Sequence, residues 1–186
     1  TIQDIEGIFL MPGKVLTAPN ALWQPDTVLT IDGTIWSTLP SDLILDGKGD
    51  IIVNLTSGQT FDGSAYTIDA GSDVNLTVVG TSGNESITGT SGEDRIETAG
   101  GTDTVNARGG NDTIVINGVV GAGSTFNGGL STDTIAVSLA AAVAPTLPND
   151  FFSTVGLTSS TVSNVEKIQF NSLAGEKLRV QIGTWQ

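Results

Sequence analysis

The amino-acid sequence predicts an all-β fold, a right-handed parallel β-solenoid with irregular N-terminal coils and a C-terminal β cap. Gly, Thr, Ser, Asn and Asp dominate the chain, and strong helix formers are scarce. Short apolar runs such as Ile51–Leu55 and Val74–Val79 alternate with turn-forming pairs such as Ser57-Gly58 and Gly71-Ser72, a pattern typical of short strands joined by tight turns. Matching strand positions also recur about every nine residues, and a fixed short period is the sequence signature of a solenoid.

We predict four segments along the chain. The first contains Trp23 and Trp36 among polar neighbours, and we favour a role for these rings in covering the open end of the solenoid core over stacking on sugars. The second has strand-like runs at irregular spacing, the third carries a regular repeat, and the fourth alternates as strands do. Their bounds are 1–39 for the N-terminal cap, 40–79 for the irregular coils, 80–136 for the regular repeat and 137–186 for the C-terminal β cap.

Charge and composition exclude several classes of function. The 20 acidic residues against 7 Lys and Arg give a net charge of -13. Such a surface repels a phosphate backbone, so nucleic acid is not an expected partner, whereas divalent cations are attracted. The chain has no His and no Cys, which excludes imidazole general bases, Ser-His-Asp triads and thiolate metal sites. No run approaches the roughly 18 apolar residues of a membrane span, so membrane insertion is not expected.

A nine-residue repeat begins at Gly80. In its first four copies position four is Gly, position six is acidic and position eight is apolar and β-branched. A fifth copy follows the interval 116–127. The copies are Gly80–Thr88, Gly89–Glu97, Thr98–Asn106, Ala107–Val115 and Gly128–Ala136. Four matches in phase are far more than chance would produce, so the repeat predicts a regular solenoid.

The three constant positions have a physical explanation. In a strand of period two, the position-eight residue points inward between polar neighbours. Gly at position four tolerates a positive φ and lets backbone carbonyls crowd a cation. Calcium prefers six to eight hard oxygen ligands, which carbonyls and carboxylates supply without His or Cys. We therefore expect one core built from the position-eight residues and from Val78, which lies one repeat length before the first of them. Its members are Val78, Ile87, Ile96, Val105, Ile114 and Ile135.

These repeats resemble the calcium-binding nonapeptide repeats of the haemolysin-type, or RTX, family. The resemblance implies a parallel β-roll in which six residues form a turn, three form a strand, and two repeats make one coil. It also implies calcium between turns on the same edge, bound by loop carbonyls and position-six carboxylates. Ser163–Phe170 resembles the strand that often follows such arrays. The candidate calcium ligands are Gly83, Glu85, Gly92, Asp94, Gly101, Asp103, Gly109, Gly110, Asp112, Gly129 and Asp133.

Coils made of two repeats would stack the acids into two columns. One column would hold Glu85 and Asp103, and the other Asp94 and Asp112. Asp133 joins the second column if the interval 116–127 is one half-coil with a bulge of three. Stacked carboxylates repel one another unless a cation lies between them. The alternative is that these side chains only cap backbone N–H groups, as in Asx-turns, and need no metal.

The repeats depart from the family pattern in several turns. Glu85 replaces Asp in the first copy, and Ser131 replaces Gly at position four of the last. Positions one and two, usually Gly-Gly, are Thr98-Ala99 in the third copy and Ala107-Arg108 in the fourth. We therefore expect about two to four ions, bound less tightly than in a long perfect array.

The resemblance also implies how such a module is used. Chains of this family leave the bacterial cell unfolded through a type I system, and millimolar extracellular calcium then folds the roll. We expect a secreted or cell-surface location and a non-enzymatic, structural piece of a surface-layer protein or adhesin, with calcium as partner. Self-association and binding to cell-surface polysaccharide stay open as further interactions.

Two other classes of function remain open. One is a non-catalytic folding and secretion domain of an exoenzyme such as a protease, a lipase or an epimerase. The other is catalysis within this chain by paired carboxylates, as in glycosidases. The residues available for such a pair are Asp46, Asp50, Asp62 and Asp69, although Asp-Gly turns explain most of them equally well.

Overall fold

The computed structural model describes residues 28–32, 44–45, 48–68, 73–138 and 160–171, and these ranges contain 14 β-strands and no helix. In this part of the chain there is accordingly no helix long and apolar enough to cross a membrane. The strands are β1 Val28–Asp32, β2 Ile44–Leu45, β3 Lys48–Asn54, β4 Thr60–Asp62, β5 Thr67–Ile68, β6 Asp73–Val79, β7 Ser86–Thr88, β8 Asp94–Thr98, β9 Thr104–Asn106, β10 Thr113–Ile116, β11 Thr125–Asn127, β12 Thr134–Ser138, β13 Thr161–Ser163 and β14 Lys167–Asn171.

All the strand pairs in the described ranges are parallel. Seven strands form one sheet in the order β1-β3-β6-β8-β10-β12-β14, and five form a second sheet in the order β13-β11-β9-β7-β4. From β6 onward the chain passes from one sheet to the other at every step, so each pair of strands makes one coil. The predicted all-β parallel solenoid is confirmed.

The core lies between the two larger sheets and is built from the position-eight residues. Val78, Ile96, Ile114 and Ile135 are register partners along the seven-stranded sheet, while Ile87 pairs with Val105 in the other. Each of these six side chains is at most 1% exposed. Burying one such side chain contributes about 1.5–3 kcal/mol, so the column of β-branched residues stabilises the stack and sets its register. The predicted core is confirmed.

The interval 116–127 is a half-coil with a bulge, which is the condition under which Asp133 joins the second column. Phe126 lies one repeat length before Ile135, is fully buried, and pairs with Val105. The additional residues lie in the connection between β10 and β11. Because the connection absorbs them, Ile114 and Ile135 remain register partners although this coil is longer than two repeats.

The coils before the repeats are longer and have a third side. Ile51 pairs with Leu76 and Phe61 with Ile87, and both spacings exceed the length of two repeats. The short strands β2 and β5 form the additional two-stranded sheet. The seven-stranded sheet continues without a break through the predicted boundaries after residues 79 and 136. Of the predicted N-terminal cap, only β1 is described, beside β3; Trp23 and Trp36 lie outside the described residues.

The turns at the sheet edges stack as closely as the strands. Gly110 has a φ of +111°, and a Cβ added to it would meet the carbonyl of Gly92 in the preceding coil and lie 2.7 Å from the backbone nitrogen of Glu93. At the neighbouring Gly109, the nearest atom to an added Cβ is the Ser91 carbonyl oxygen at 3.8 Å, an ordinary contact. Position four therefore requires Gly in this turn, whereas position three does not.

We expect Gly110→Ala to lower the free energy of unfolding by about 2–4 kcal/mol, because it adds left-handed backbone strain to a steric overlap. The matched variant Gly109→Ala should change it by less than about 0.5 kcal/mol. Urea denaturation followed by far-UV circular dichroism measures both. Equal effects of the two substitutions would contradict the stacked-turn geometry.

Candidate metal centre

The position-six acids form the two predicted columns. Asp103, Asp112 and Asp133 each accept a hydrogen bond from the backbone N–H of the position-six residue in the preceding coil. The bonds are Glu85 N–H to Asp103 Oδ1 at 2.9 Å, Asp94 N–H to Asp112 Oδ1 at 2.8 Å and Asp112 N–H to Asp133 Oδ1 at 2.8 Å. Asp133 therefore belongs to the column of Asp94 and Asp112, because the bulge of the preceding half-coil leaves the register intact.

The second oxygen of three of these acids has no partner. Asp103, Asp112 and Asp133 are at most 1% exposed. Among the described residues, nothing donates a hydrogen bond to the Oδ2 atom of any of the three. A buried polar atom without a partner costs about 1–3 kcal/mol, and more when it carries charge. Backbone capping, the metal-free alternative, thus accounts for one oxygen of each carboxylate and leaves the other unexplained.

Each column ends on a residue that the sequence reasoning missed. The N–H of Asp133 donates to Glu166 Oε2 at 2.8 Å, and Glu166 immediately precedes β14. In the other column, the N–H of Asp103 donates to the Ser124 hydroxyl at 3.1 Å. Ser124 stands two residues before the buried Phe126, the offset of position six from position eight. That offset could have identified Ser124, whereas Glu166 lies outside the repeat and 33 positions from Asp133.

The six candidate glycines lie in the stacked turns, but they are not equivalent. A Cβ added to Gly101 would meet the Gly83 carbonyl, and one added to Gly129 would meet the Arg108 carbonyl. A Cβ added to Gly110 would meet the Gly92 carbonyl in the same way. Gly109 forms a β-bridge with Leu130. The carbonyls of one turn are therefore close to the backbone of the next, as a site with carbonyl ligands requires.

Positive φ at position four occurs in only part of the array. Gly101, Gly110 and Ser131 have φ values of 88°, 111° and 93°, whereas Gly83 and Gly92 lie outside the left-handed region. The turns of the last three copies therefore differ in backbone conformation from those of the first two. In those copies the position-four N–H donates to a Thr hydroxyl two residues earlier, at 3.0 Å for Gly83 and 3.1 Å for Gly92.

The first two acids have partners for both oxygens. Glu85 accepts from the Thr81 N–H through Oε2 at 3.2 Å, and from the Thr81 hydroxyl and the Gly58 N–H through Oε1 at 2.7 and 3.0 Å. Asp94 accepts from the Thr90 N–H through Oδ2 at 2.6 Å and lies 3.0 Å from the Thr90 hydroxyl through Oδ1. These carboxylates are buried but satisfied.

The residues present fit calcium. The chain supplies no His or Cys, so the donors at the turns are carboxylate and carbonyl oxygens, the hard ligands that calcium prefers. Within the described ranges, no three acidic side chains converge on one point. An ion at the unpaired Oδ2 of Asp103, Asp112 or Asp133 would therefore depend on loop carbonyls to complete its coordination.

Burial raises the pKa of these carboxyl groups in the metal-free protein. Loss of hydration raises the pKa of Asp103 to about 6 and that of Asp94 to about 7. The pKa of Asp112 rises to about 8, first through burial and then through the charges of Asp94, Asp133 and Glu93, against the lowering effect of its hydrogen bond from the Asp94 backbone. Burial also raises the pKa of Asp133. Without a cation, the folded state therefore favours the protonated acids.

A pH dependence follows for the metal-free protein. The pKa values of Asp94, Asp103 and Asp112 are higher in the folded than in the unfolded state, so protonation of these acids stabilises the fold. This stabilisation is complete below pH about 4 and is lost as the pH rises to about 8. In EGTA the melting temperature should fall over this interval. In millimolar calcium, which binds ionised Asp103 and Asp112, the fall should become smaller or be reversed. Parallel pH profiles with and without calcium would contradict this assignment.

The comparisons with known proteins agree with this geometry. Residues 79–114 match the family model of the RTX calcium-binding nonapeptide repeat, in 4 copies. No curated protein and no solved structure matches the chain significantly. Repeats of this type are known calcium-binding motifs and are typical of secreted bacterial proteins. Residues 79–114 are therefore similar to the RTX calcium-binding nonapeptide repeat, and they fold as part of a parallel β-solenoid.

Proposed function

We propose that this chain is a calcium-folded β-roll module of a secreted bacterial surface protein, of the surface-layer or adhesin type, without catalytic activity of its own. The observation that carries the calcium-dependent part is the set of three buried Asp oxygens that have no partner among the described residues. Calcium supplies the positive charge that these oxygens lack, and the oxygens can fill positions in its coordination shell.

Folding of the array is coupled to calcium because two opposing contributions meet in each coil. Position eight buries an apolar side chain, which stabilises the stack. Position six brings a carboxylate into the same stack, where loss of hydration and the neighbouring acids destabilise the ionised form. At neutral pH without an ion, the second contribution offsets part of the first. Binding of the ion therefore contributes directly to the free energy of folding.

A secreted location agrees with this coupling. Calcium modules that work outside the cell bind with dissociation constants on the order of 10⁻⁴–10⁻³ M. Cytosolic calcium is far below that range, so the array would stay unfolded until export and fold afterwards. The absence of Cys means that no disulfide can lock the chain before export.

A structural role is supported by composition and by the state of the candidate catalytic acids. The low pI of about 4.1, the single Met and the lack of His and Cys are typical of surface-layer proteins. Asp62 accepts a hydrogen bond from the Ser64 N–H at 2.9 Å, an Asx-type turn contact, and its hydrogen bonds with Ser64 lower its pKa. Asp50 accepts one from the Asn75 side chain at 3.0 Å. Asp46 and Asp69 lie outside the described residues.

Calcium should raise the melting temperature of the chain, and magnesium should not. At a concentration 100-fold above the dissociation constant, each site adds about 2.7 kcal/mol, which corresponds to roughly 5–10 °C for a chain of this size. Asp112→Asn should reduce the gain, whereas Asp62→Asn, at the exposed end of β4, should leave it unchanged. The measurement is a far-UV circular dichroism melt in EGTA, in calcium and in magnesium. Superimposable melts in EGTA and calcium would contradict the proposal.

Calcium should also promote self-association if the module belongs to a surface lattice. Sedimentation velocity at several millimolar calcium should then show species larger than the 19.0 kDa monomer, and EGTA should reverse their formation. A chain that remains monomeric in calcium while its melting temperature rises would contradict the lattice role and favour the accessory domain of an exoenzyme.

A further inference from the structure

The five turns of the array fall into two structural classes, and position two of the repeat distinguishes them. In the first two copies position two is Thr81 or Thr90, and in the later three it is Ala99, Arg108 or Gly129. Only Thr carries a hydroxyl. The division coincides with the fate of the second carboxylate oxygen, which has a partner in the first two copies and none among the described residues in the last three.

Thr90 closes its turn through four hydrogen-bond contacts. Its N–H donates to Asp94 Oδ2 at 2.6 Å. Its hydroxyl donates to the same carboxylate, 3.0 Å from Oδ1 and 3.2 Å from Oδ2. The hydroxyl also accepts from the Gly92 N–H at 3.1 Å. Thr90 is fully buried and Asp94 is 3% exposed, so water does not compete for these bonds.

In the preceding turn, Thr81 makes three corresponding contacts, two with Glu85 and one with Gly83. The distances are 3.2 Å for the N–H, 2.7 Å for the hydroxyl and 3.0 Å for the bond accepted from Gly83. The longer side chain of Glu85 also reaches back to the Gly58 N–H at 3.0 Å. Both turns thus use a neutral hydroxyl where a cation would otherwise satisfy the carboxylate.

The later turns have the opposite arrangement. The backbone adopts positive φ at position four in each of them, at Gly101, Gly110 and Ser131, and no side chain at position two carries a hydroxyl that could reach the acid. The Oδ2 atoms of Asp103, Asp112 and Asp133 are buried and lack a hydrogen-bond partner within the described ranges. A buried carboxylate oxygen without a partner, in a turn of crowded carbonyls, is what a calcium ion requires.

We propose that the calcium ions are held by Asp103, Asp112 and Asp133, and that Thr81 and Thr90 replace the ion at Glu85 and Asp94. This assignment rests on the proposed function and adds the positions of the ions. It makes the first two turns a calcium-independent support that can fold on the longer N-terminal coils. The later coils then add to that support when calcium is present.

The Thr hydroxyl is a specificity-determining group under this proposal. A carboxylate that already accepts two or three hydrogen bonds has little to gain from an ion, since those donors must be displaced first. Replacing Thr90 with Ala removes the hydroxyl while keeping the N–H, and leaves Oδ1 of Asp94 without that donor. The reciprocal change, Ala99→Thr, places a hydroxyl at the same offset from Asp103 that Thr90 has from Asp94.

Counting calcium by equilibrium dialysis of the full chain tests the assignment. The wild type should bind three ions, one for each unpaired Asp oxygen. Asp112→Asn should lose one ion, whereas the matched variant Asp94→Asn should lose none. Thr90→Ala should gain one ion, Thr90→Ser should match the wild type, and Ala99→Thr should lose one. A loss of one ion in both Asp variants would overturn the proposal.

Stability measurements supply a readout independent of the count. In EGTA, Thr90→Ala should lower the melting temperature, and calcium should restore more of it than in the wild type, while Thr90→Ser should behave as the wild type in both conditions. If Thr90→Ala does not fold in EGTA, the number of calcium ions bound by Asp94→Asn and by Asp112→Asn still tests the assignment. A wild type that binds no calcium would instead refute the proposed function. A wild type that binds calcium through Asp94 would refute only the placement of the ions.

Discussion

The structure depends on how each coil presents one carboxylate to the coil before it. One oxygen of Asp103, Asp112 or Asp133 accepts a backbone N–H from the preceding turn, so the acid cannot leave without exposing that donor. The other oxygen is buried at the same place without a partner among the described residues. The carboxylate therefore links two coils and at the same time needs a positive charge. This double requirement is the physical basis of the proposed coupling between folding of the array and calcium.

The apolar core sets the geometry in which this requirement arises. Strand residues such as Ile96 and Ile114 are register partners one coil apart, and the acids two positions earlier must then stack as well. A shift of register would expose the whole apolar column, so the acids cannot relieve their repulsion by sliding. Hydrophobic burial thus holds the carboxylates in an arrangement that is unfavourable without an ion.

Changes of coil length are absorbed in the connections and not in the strands. The coils exceed two repeats at the N-terminal end, shorten to two repeats within the array and lengthen again at the interval 116–127. Each insertion lies in a connection between strands, where added chain costs little free energy. Phe126 accordingly stays in the core, and the preceding Ser124 takes the place of an acid and ends one column with a neutral hydroxyl.

The sequence by itself determined the parallel solenoid, the buried position-eight residues and the two columns of Glu85 with Asp103 and of Asp94 with Asp112. Asp133 joined the second column only on the condition that the interval 116–127 is a half-coil with a bulge, and the structure meets that condition. The solenoid and its apolar core follow from periodicity, and the two columns follow once two repeats make one coil, as the resemblance to the RTX repeat implies. Only the tertiary structure decided which acids are satisfied. Repeat spacing treats Asp94 and Asp112 as equivalent, yet a Thr hydroxyl reaches the first and not the second. Glu166 likewise reaches Asp133 only because β14 returns beside β12. Hydrogen bonds across a turn, and contacts between groups 33 positions apart in the chain, depend on three-dimensional distances that a nine-residue pattern does not contain.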